Sequence, residues 1–141
     1  MTTHKEFAEW AEGVRAFPYV DSVGKVTIGI GRNLDDKGLS KKEIELLYKN
    51  DHEEAEQDAL KFDWFEGLDE VRQMIVVDMI FNMGFKRFSG FVMTIKAIEA
   101  GDYQRAAREM QDSRWFRQVP RRAIPLVNAM ATGKLEYDRS K

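Results

Sequence analysis

Three side chains stand at a spacing suited to acid–base chemistry. Glu12 closes a helical segment, Asp21 lies nine residues on in a turn, and Thr27 six further on in a strand. A Glu at a helix C-terminus faces the negative end of the macrodipole, which opposes its ionisation and suits a group that must deliver a proton near neutral pH. Trp10 and Phe17 add desolvation if they lie beside it. Asp21, among turn amides and solvent, is expected to stay ionised. A carboxylic acid and a carboxylate held apart in this way are the pair that glycosidic cleavage requires. Thr27 offers a hydroxyl to hold a water beside Asp21. With 24 acidic residues in 141, an exposed helix-end Glu and an Asp closing its own turn explain the same spacing, and spacing alone favours that plainer account.

Other chemistries lack their residues. Gly29-Ile-Gly31 is followed by Asn33-Leu34 without the third glycine of a dinucleotide fingerprint, and no Gly-Lys-Ser/Thr phosphate loop occurs. Asp35-Asp-Lys-Gly38 lacks the ligand spacing of a calcium loop. His4 and His52 are far apart and read as surface histidines, so no metal and no cofactor is expected. The chain has no cysteine, which excludes a disulfide framework, a zinc ribbon and thiol catalysis.

The elements that must position these residues carry clear boundary signals. Thr3 and Glu6 form a capping box for a helix bearing Phe7, Trp10, Ala11 and Val14, with Gly13 at its end. Phe17 to Val20, the turn Asp21–Gly24, and Lys25 to Gly31 read as an antiparallel hairpin whose first strand is kept at an edge by Pro18. Ser40 and Glu43 form a second capping box, opening a helix to about residue 60 with Ile44, Leu47, Tyr48, Ala55 and Ala59 on one face. Asp69 caps a helix from Val71 to Met83 that is apolar nearly all round and is expected to be buried. A helix over 91–100, one capped by Asp102, a turn from Ser113 and a last helix from Pro120 follow, with Pro125 expected to break or kink the last. The fold class is α+β and mostly α: one domain over 1–141, with a small β lobe at 16–34 and a helical lobe at 69–135.

Composition agrees with a folded domain. The chain is 43% apolar and 11% aromatic, too rich for disorder, and 22 Lys+Arg meet 24 Asp+Glu. Charge is uneven: residues 1–85 carry a net −8 and residues 86–141 a net +6. A basic half can attract an anionic polymer or can pack against the acidic half. The basic residues are spread over several elements, so no nucleic-acid partner is expected. No stretch is long and apolar enough to span a bilayer, so no stable membrane insertion is expected. The N-terminal residues lack a signal-peptide pattern, giving an expectation of synthesis in the cytoplasm.

The residues around the acidic pair are more specific than their spacing. Glu12-Gly-Val-Arg15, Tyr19-Val-Asp21 and Gly24-Lys-Val-Thr27-Ile-Gly-Ile-Gly31 closely resemble the catalytic segment of the phage-type lysozymes, glycoside hydrolase family 24, in which Glu, eight residues, Asp, five residues and Thr precede Ile-Gly-Ile/Val-Gly. Val71-Arg72 through Phe81-Asn-Met-Gly84, then Gly90-Phe91, Ser113-Arg-Trp115 and Gln118-Val-Pro120-Arg-Arg122, extend the resemblance over 1–135.

The resemblance implies a lysozyme-like fold and hydrolysis of the β-1,4 bond between N-acetylmuramic acid and N-acetylglucosamine in bacterial peptidoglycan. It makes Glu12 the general acid, and Asp21 with Thr27 the groups that position and activate water, with inversion at the anomeric carbon. It assigns substrate-binding roles to Phe81, Thr94 and Arg122, the last also matching an arginine that reaches the catalytic Glu. A monomer with an open cleft, acting on the wall after a separate protein permeabilises the membrane, is the implied setting. A lytic transglycosylase and a silent glycan-binding module are the competing readings. The sequence departs from the family pattern at Arg32, where His is usual, at Asn33, where an apolar residue is usual, and at Glu109, where Asn is usual. The segment between Asn33 and Ser40 is also short.

Overall fold

Short polar side chains set where the helices begin. The structure, a computed structural model, describes residues 1–140. Thr3 accepts from the Glu6 amide ahead of α1 (His4–Glu12), Asp69 from the Arg72 amide ahead of α3 (Glu70–Met83), and Asp102 from the Arg105 amide ahead of α6 (Tyr103–Gln111). Each satisfies an amide that has no partner inside its helix. Ser40 and Glu43 complete a reciprocal box at the start of α2 (Lys41–Ala59): the Ser40 amide donates to Glu43 Oε1 at 2.8 Å and the Glu43 amide to Ser40 Oγ at 3.2 Å.

The chain divides into two compact units, Met1–Leu47 and Tyr48 onward. The first holds α1, a three-stranded antiparallel sheet and the first turns of α2. Its strands β1 (Arg15–Val20), β2 (Val26–Gly29) and β3 (Arg32–Asn33) lie in chain order, with Tyr19 opposite Thr27 and Thr27 opposite Asn33. The hairpin expected from sequence is present and gains β3, which is too short to show an alternating pattern. The register of β1 on β2 shifts between Arg15 and Tyr19, the interval that contains Pro18, which has no N–H to give to a ladder.

The second unit is helical and is built around α3. Ile75, Val76 and Met79 are fully buried there, with Phe88 of α4 (Phe85–Ser89), Met110 of α6 and Met130 of α8 (Pro120–Thr132). Alanines 106, 107, 123 and 129 are buried where α6 packs on α8, small side chains allowing close backbone approach. Trp115 of α7 (Arg114–Gln118) is 2% exposed and its indole Nε1 donates to Asn82 Oδ1 at 3.0 Å. The described residues are 59% helical, so the mostly α member of the α+β class is the observed one.

Three local expectations change, the first being that the turn expected from Ser113 is the short helix α7, with Ser113 as its cap. The segment before residue 91 contains α4, and α5 is confined to Val92–Glu99, because Gly84 at φ +89° ends α3 and the chain restarts a helix at once. Pro125 neither breaks nor ends α8. Its ring removes only the hydrogen bond to the Arg121 carbonyl in the exposed first turn. Burial of Ala123, Leu126, Val127, Ala129 and Met130 along one face holds the helix through it.

Candidate active site

Glu12, Asp21 and Thr27 all lie in the first unit, on α1, the β1–β2 turn and β2. Glu12 is the last residue of α1; Gly13 follows at φ +79°, its amide donating to the Glu9 carbonyl at 2.8 Å, and the chain reverses into β1. The side chain of Glu12 lies along Gly31, which stands at φ +72° in the turn between β2 and β3. A β-carbon at position 31 would sit 2.9 Å from Glu12 Cγ and Cδ and 3.1 Å from Oε2, so only glycine leaves the carboxyl this place. The apolar cover expected from Trp10 and Phe17 is absent: both are 80% exposed. Trp10 is two residues from Glu12 on the helix, and such neighbours face different sides.

Asp21 organises its own turn. Its Oδ1 accepts from the Val23 amide at 2.9 Å and the Lys25 amide at 2.8 Å, while its own amide donates to the Lys25 carbonyl at 2.9 Å. The turn-closing role that spacing suggested is therefore real, and it falls on one oxygen; Oδ2 accepts nothing among the described residues. Thr27 is 3% exposed and its hydroxyl donates to the same Lys25 carbonyl at 3.0 Å. That bond commits the hydroxyl proton and leaves the oxygen as an acceptor. Asp21 and Thr27 are thus anchored on the two ends of one peptide residue. Lys25 Nζ in turn reaches Asp36 at 3.1 Å, which also binds the Asn33 side chain opposite Thr27.

Arg32, directly after Gly31, is held at both ends of its guanidinium. It donates to the Gly38 carbonyl at 3.0 Å and grips Glu43 in a two-pronged pair, each contact 2.7 Å. The Arg32 guanidinium, the Ser40 amide and the Ser40 hydroxyl together hold the Glu43 carboxyl down at about 2. Glu43 was legible as a capping residue; its second role with Arg32 was not, because a residue at N3 of a helix carries no sequence mark of a partner eleven residues earlier.

The other three candidates lie in the second unit and in two separate places. Phe81, at the end of α3, packs against Tyr48 with ring centres 5.8 Å apart, and the Arg122 guanidinium lies 6.0 Å from its centre. Arg122 is gripped by Asp78, through Nε at 2.8 Å and Nη2 at 2.9 Å, and these charge-assisted bonds raise its already high pKa. Thr94 is 2% exposed and borders a recess of about 290 Å³ that it shares with Glu109, Asp112 and Ser113. Phe81 borders a different recess, of about 230 Å³, with Asp51, Glu54 and Asp58. Asp78 and Tyr48 were missed in the sequence. The only trace of Asp78 was a single charge within the apolar run Met74–Phe81 of α3, and a lone charge there points to a partner side chain.

Among the described residues no group of three or more His, Cys, Asp or Glu is placed to hold a metal ion, and no helix is long and apolar enough to cross a membrane.

Comparison with known proteins converges on one family. The phage lysozyme family pattern matches residues 9–128. The chain is 29% identical over 165 aligned positions to probable T4-type lysozyme 1 of Dictyostelium discoideum, covering 96% of this chain and 97% of that protein. It is 27% identical to probable T4-type lysozyme 2 of the same organism, covering 96% and 98%. It is also 28% identical to the pre-baseplate central spike protein Gp5 of Enterobacteria phage T4, covering 89% of this chain and 27% of that larger protein.

Proposed function

The chain belongs to the phage lysozyme family, whose members are peptidoglycan hydrolases, and from that premise we propose that it cleaves the β-1,4 bond between N-acetylmuramic acid and N-acetylglucosamine with inversion. Glu12 gives its proton to the glycosidic oxygen as the bond to the anomeric carbon breaks. Water attacks that carbon from the opposite face, and its proton passes to Asp21. Thr27 Oγ accepts a hydrogen bond from the same water. Phe81, Thr94 and Arg122 contact the glycan, Phe81 by stacking its half-exposed ring on a sugar face.

The observation that supports this reading best is the anchoring of Asp21 and Thr27 on Lys25. One carboxylate oxygen and the hydroxyl proton are spent on the turn, which leaves a carboxylate oxygen and a hydroxyl lone pair as acceptors held on a rigid frame. A water needs both to be oriented and deprotonated. A transglycosylase, which closes the muramic acid on itself, has no use for such a pair.

Mass analysis of the products from purified peptidoglycan tests the reaction. Muropeptides with a free reducing muramic acid end are expected; 1,6-anhydromuramic ends would replace hydrolysis by transglycosylation. Glu12→Gln is expected to abolish release while keeping or raising the thermal midpoint, since a helix-end charge is removed. Retention of more than about a few per cent of activity, against the hundredfold or greater loss expected for a missing general acid, would remove Glu12 from the role.

A further inference from the structure

Glu12 is exposed and receives no hydrogen bond from the protein among the described residues, so its direction is set by what it lies against. That neighbour is Gly31, in the two-residue turn Ile30-Gly31 that follows Gly29, with both glycines at positive φ. Such a turn is soft by composition: glycine restricts its own backbone least of all residues. The strands it joins are short, and β3 is only Arg32–Asn33. Something outside the ladder must hold the turn in place.

Arg32 is placed to do so. Its backbone pairs with Ile28 across the turn, directly after Gly31. Its guanidinium is tied to the Gly38 carbonyl and to both oxygens of Glu43. Glu43 in turn is locked to the Ser40 amide at the start of α2. Short polar contacts therefore run from the first turn of α2 through Glu43 to Arg32, whose peptide bond joins it to the glycine against which Glu12 rests. All of it lies within the first unit.

We propose that Arg32, clamped by Glu43, is a positioning residue for Glu12, acting through Gly31 to hold the carboxyl in the direction needed for proton transfer. The inference rests on Glu12 being the general acid. Arg32 and Glu43 touch neither substrate nor the reacting atoms; their effect is to narrow the range of Glu12 orientations. Misplacement of a catalytic group by about 1 Å costs up to about a hundredfold in rate, so loss of the clamp is felt in turnover rather than in binding.

The test is steady-state hydrolysis of a defined peptidoglycan oligosaccharide by the full chain at a temperature well below each variant's midpoint. Arg32→Ala is expected to lower kcat about tenfold or more with KM within about twofold. Arg32→Lys keeps the charge without the two-pronged grip, folds more safely, and should recover only part of kcat. The double variant Arg32→Ala/Glu43→Gln should be no slower than Arg32→Ala alone, because both act through one contact. A folded Arg32→Ala enzyme with kcat near that of the parent overturns the proposal, as does a rise in KM with kcat unchanged. Glu12→Gln measured alongside separates the two ideas: full activity there fails the general-acid reading itself, whatever Arg32 does.

Discussion

The carboxyl of Glu12 occupies the space that a side chain on Gly31 would need. A β-carbon at 31 would stand 2.9 Å from both Cγ and Cδ of Glu12, on a backbone already at φ +72°. The identity of the glycine and the position of the carboxyl are one constraint, linking the end of α1 to the turn between β2 and β3.

Gly31→Ala is expected to leave the fold standing and to remove most of the activity. The positive φ costs about 1 kcal/mol with a β-carbon present, seen as a modest fall in thermal midpoint. The atoms that must yield are those of a flexible side chain, Glu12, so it is that carboxyl which is displaced, and the rate should fall by an order of magnitude or more, about what misorientation costs. A Gly31→Ala enzyme as fast as the parent would mean that the rest position of Glu12 beside Gly31 is not its working position.

Asp21 separates its structural and chemical parts by the choice of substitution. Asp21→Asn keeps an acceptor oxygen for the Val23 and Lys25 amides, so stability should hold while hydrolysis is lost. Asp21→Ala removes both bonds and should cost about 1–2 kcal/mol in urea unfolding as well. Equal stability of the two variants would show that the side chain does not hold the turn.

The Arg32–Glu43 pair sets a pH dependence of stability with a definite sign. The Glu43 carboxyl sits at about 2 in the fold, against an ordinary 4.5. Because the folded value is the lower one, the contribution is fully present above about pH 4.5 and is lost as pH falls towards 2. Thermal midpoints measured from pH 6 to pH 2 should fall more steeply for the parent than for Glu43→Gln across that window. Parallel curves would show that the pair adds nothing to stability. The pair is partly solvated, so added salt should shrink the difference.

The candidate site was legible where its chemistry is local in sequence. Thr3, Ser40, Asp69 and Asp102 marked helix starts because a cap bonds an amide three residues ahead. Glu12, Asp21 and Thr27 could be read because a helix end, a tight turn and a paired strand follow one another within sixteen residues, with glycines where the chain must adopt positive φ. The short β3, α4 and α7 escaped as elements because none is long enough to show a period. The desolvation expected from Trp10 and Phe17 failed because both are exposed, Trp10 on a different side of α1 from Glu12 and Phe17 on strand β1.

What the amino-acid order determined by itself, then, is the longer elements, their caps and the residue types at the site, since each follows from contacts a few residues apart. Only the tertiary structure decided that Arg122 binds Asp78, 44 residues away, that Trp115 binds Asn82, 33 away, and that Arg72 reaches the Met130 carbonyl, 58 away. It also decided that Arg32 turns to Glu43 and that Glu12 rests on Gly31. The three pairings made by Asp78, Asn82 and Arg72 form because burying α3 brings distant chain segments against it, and a charge or donor carried there must find a partner. Periodicity shows that a face will be buried; which side chains meet across it is set by the packing of whole elements.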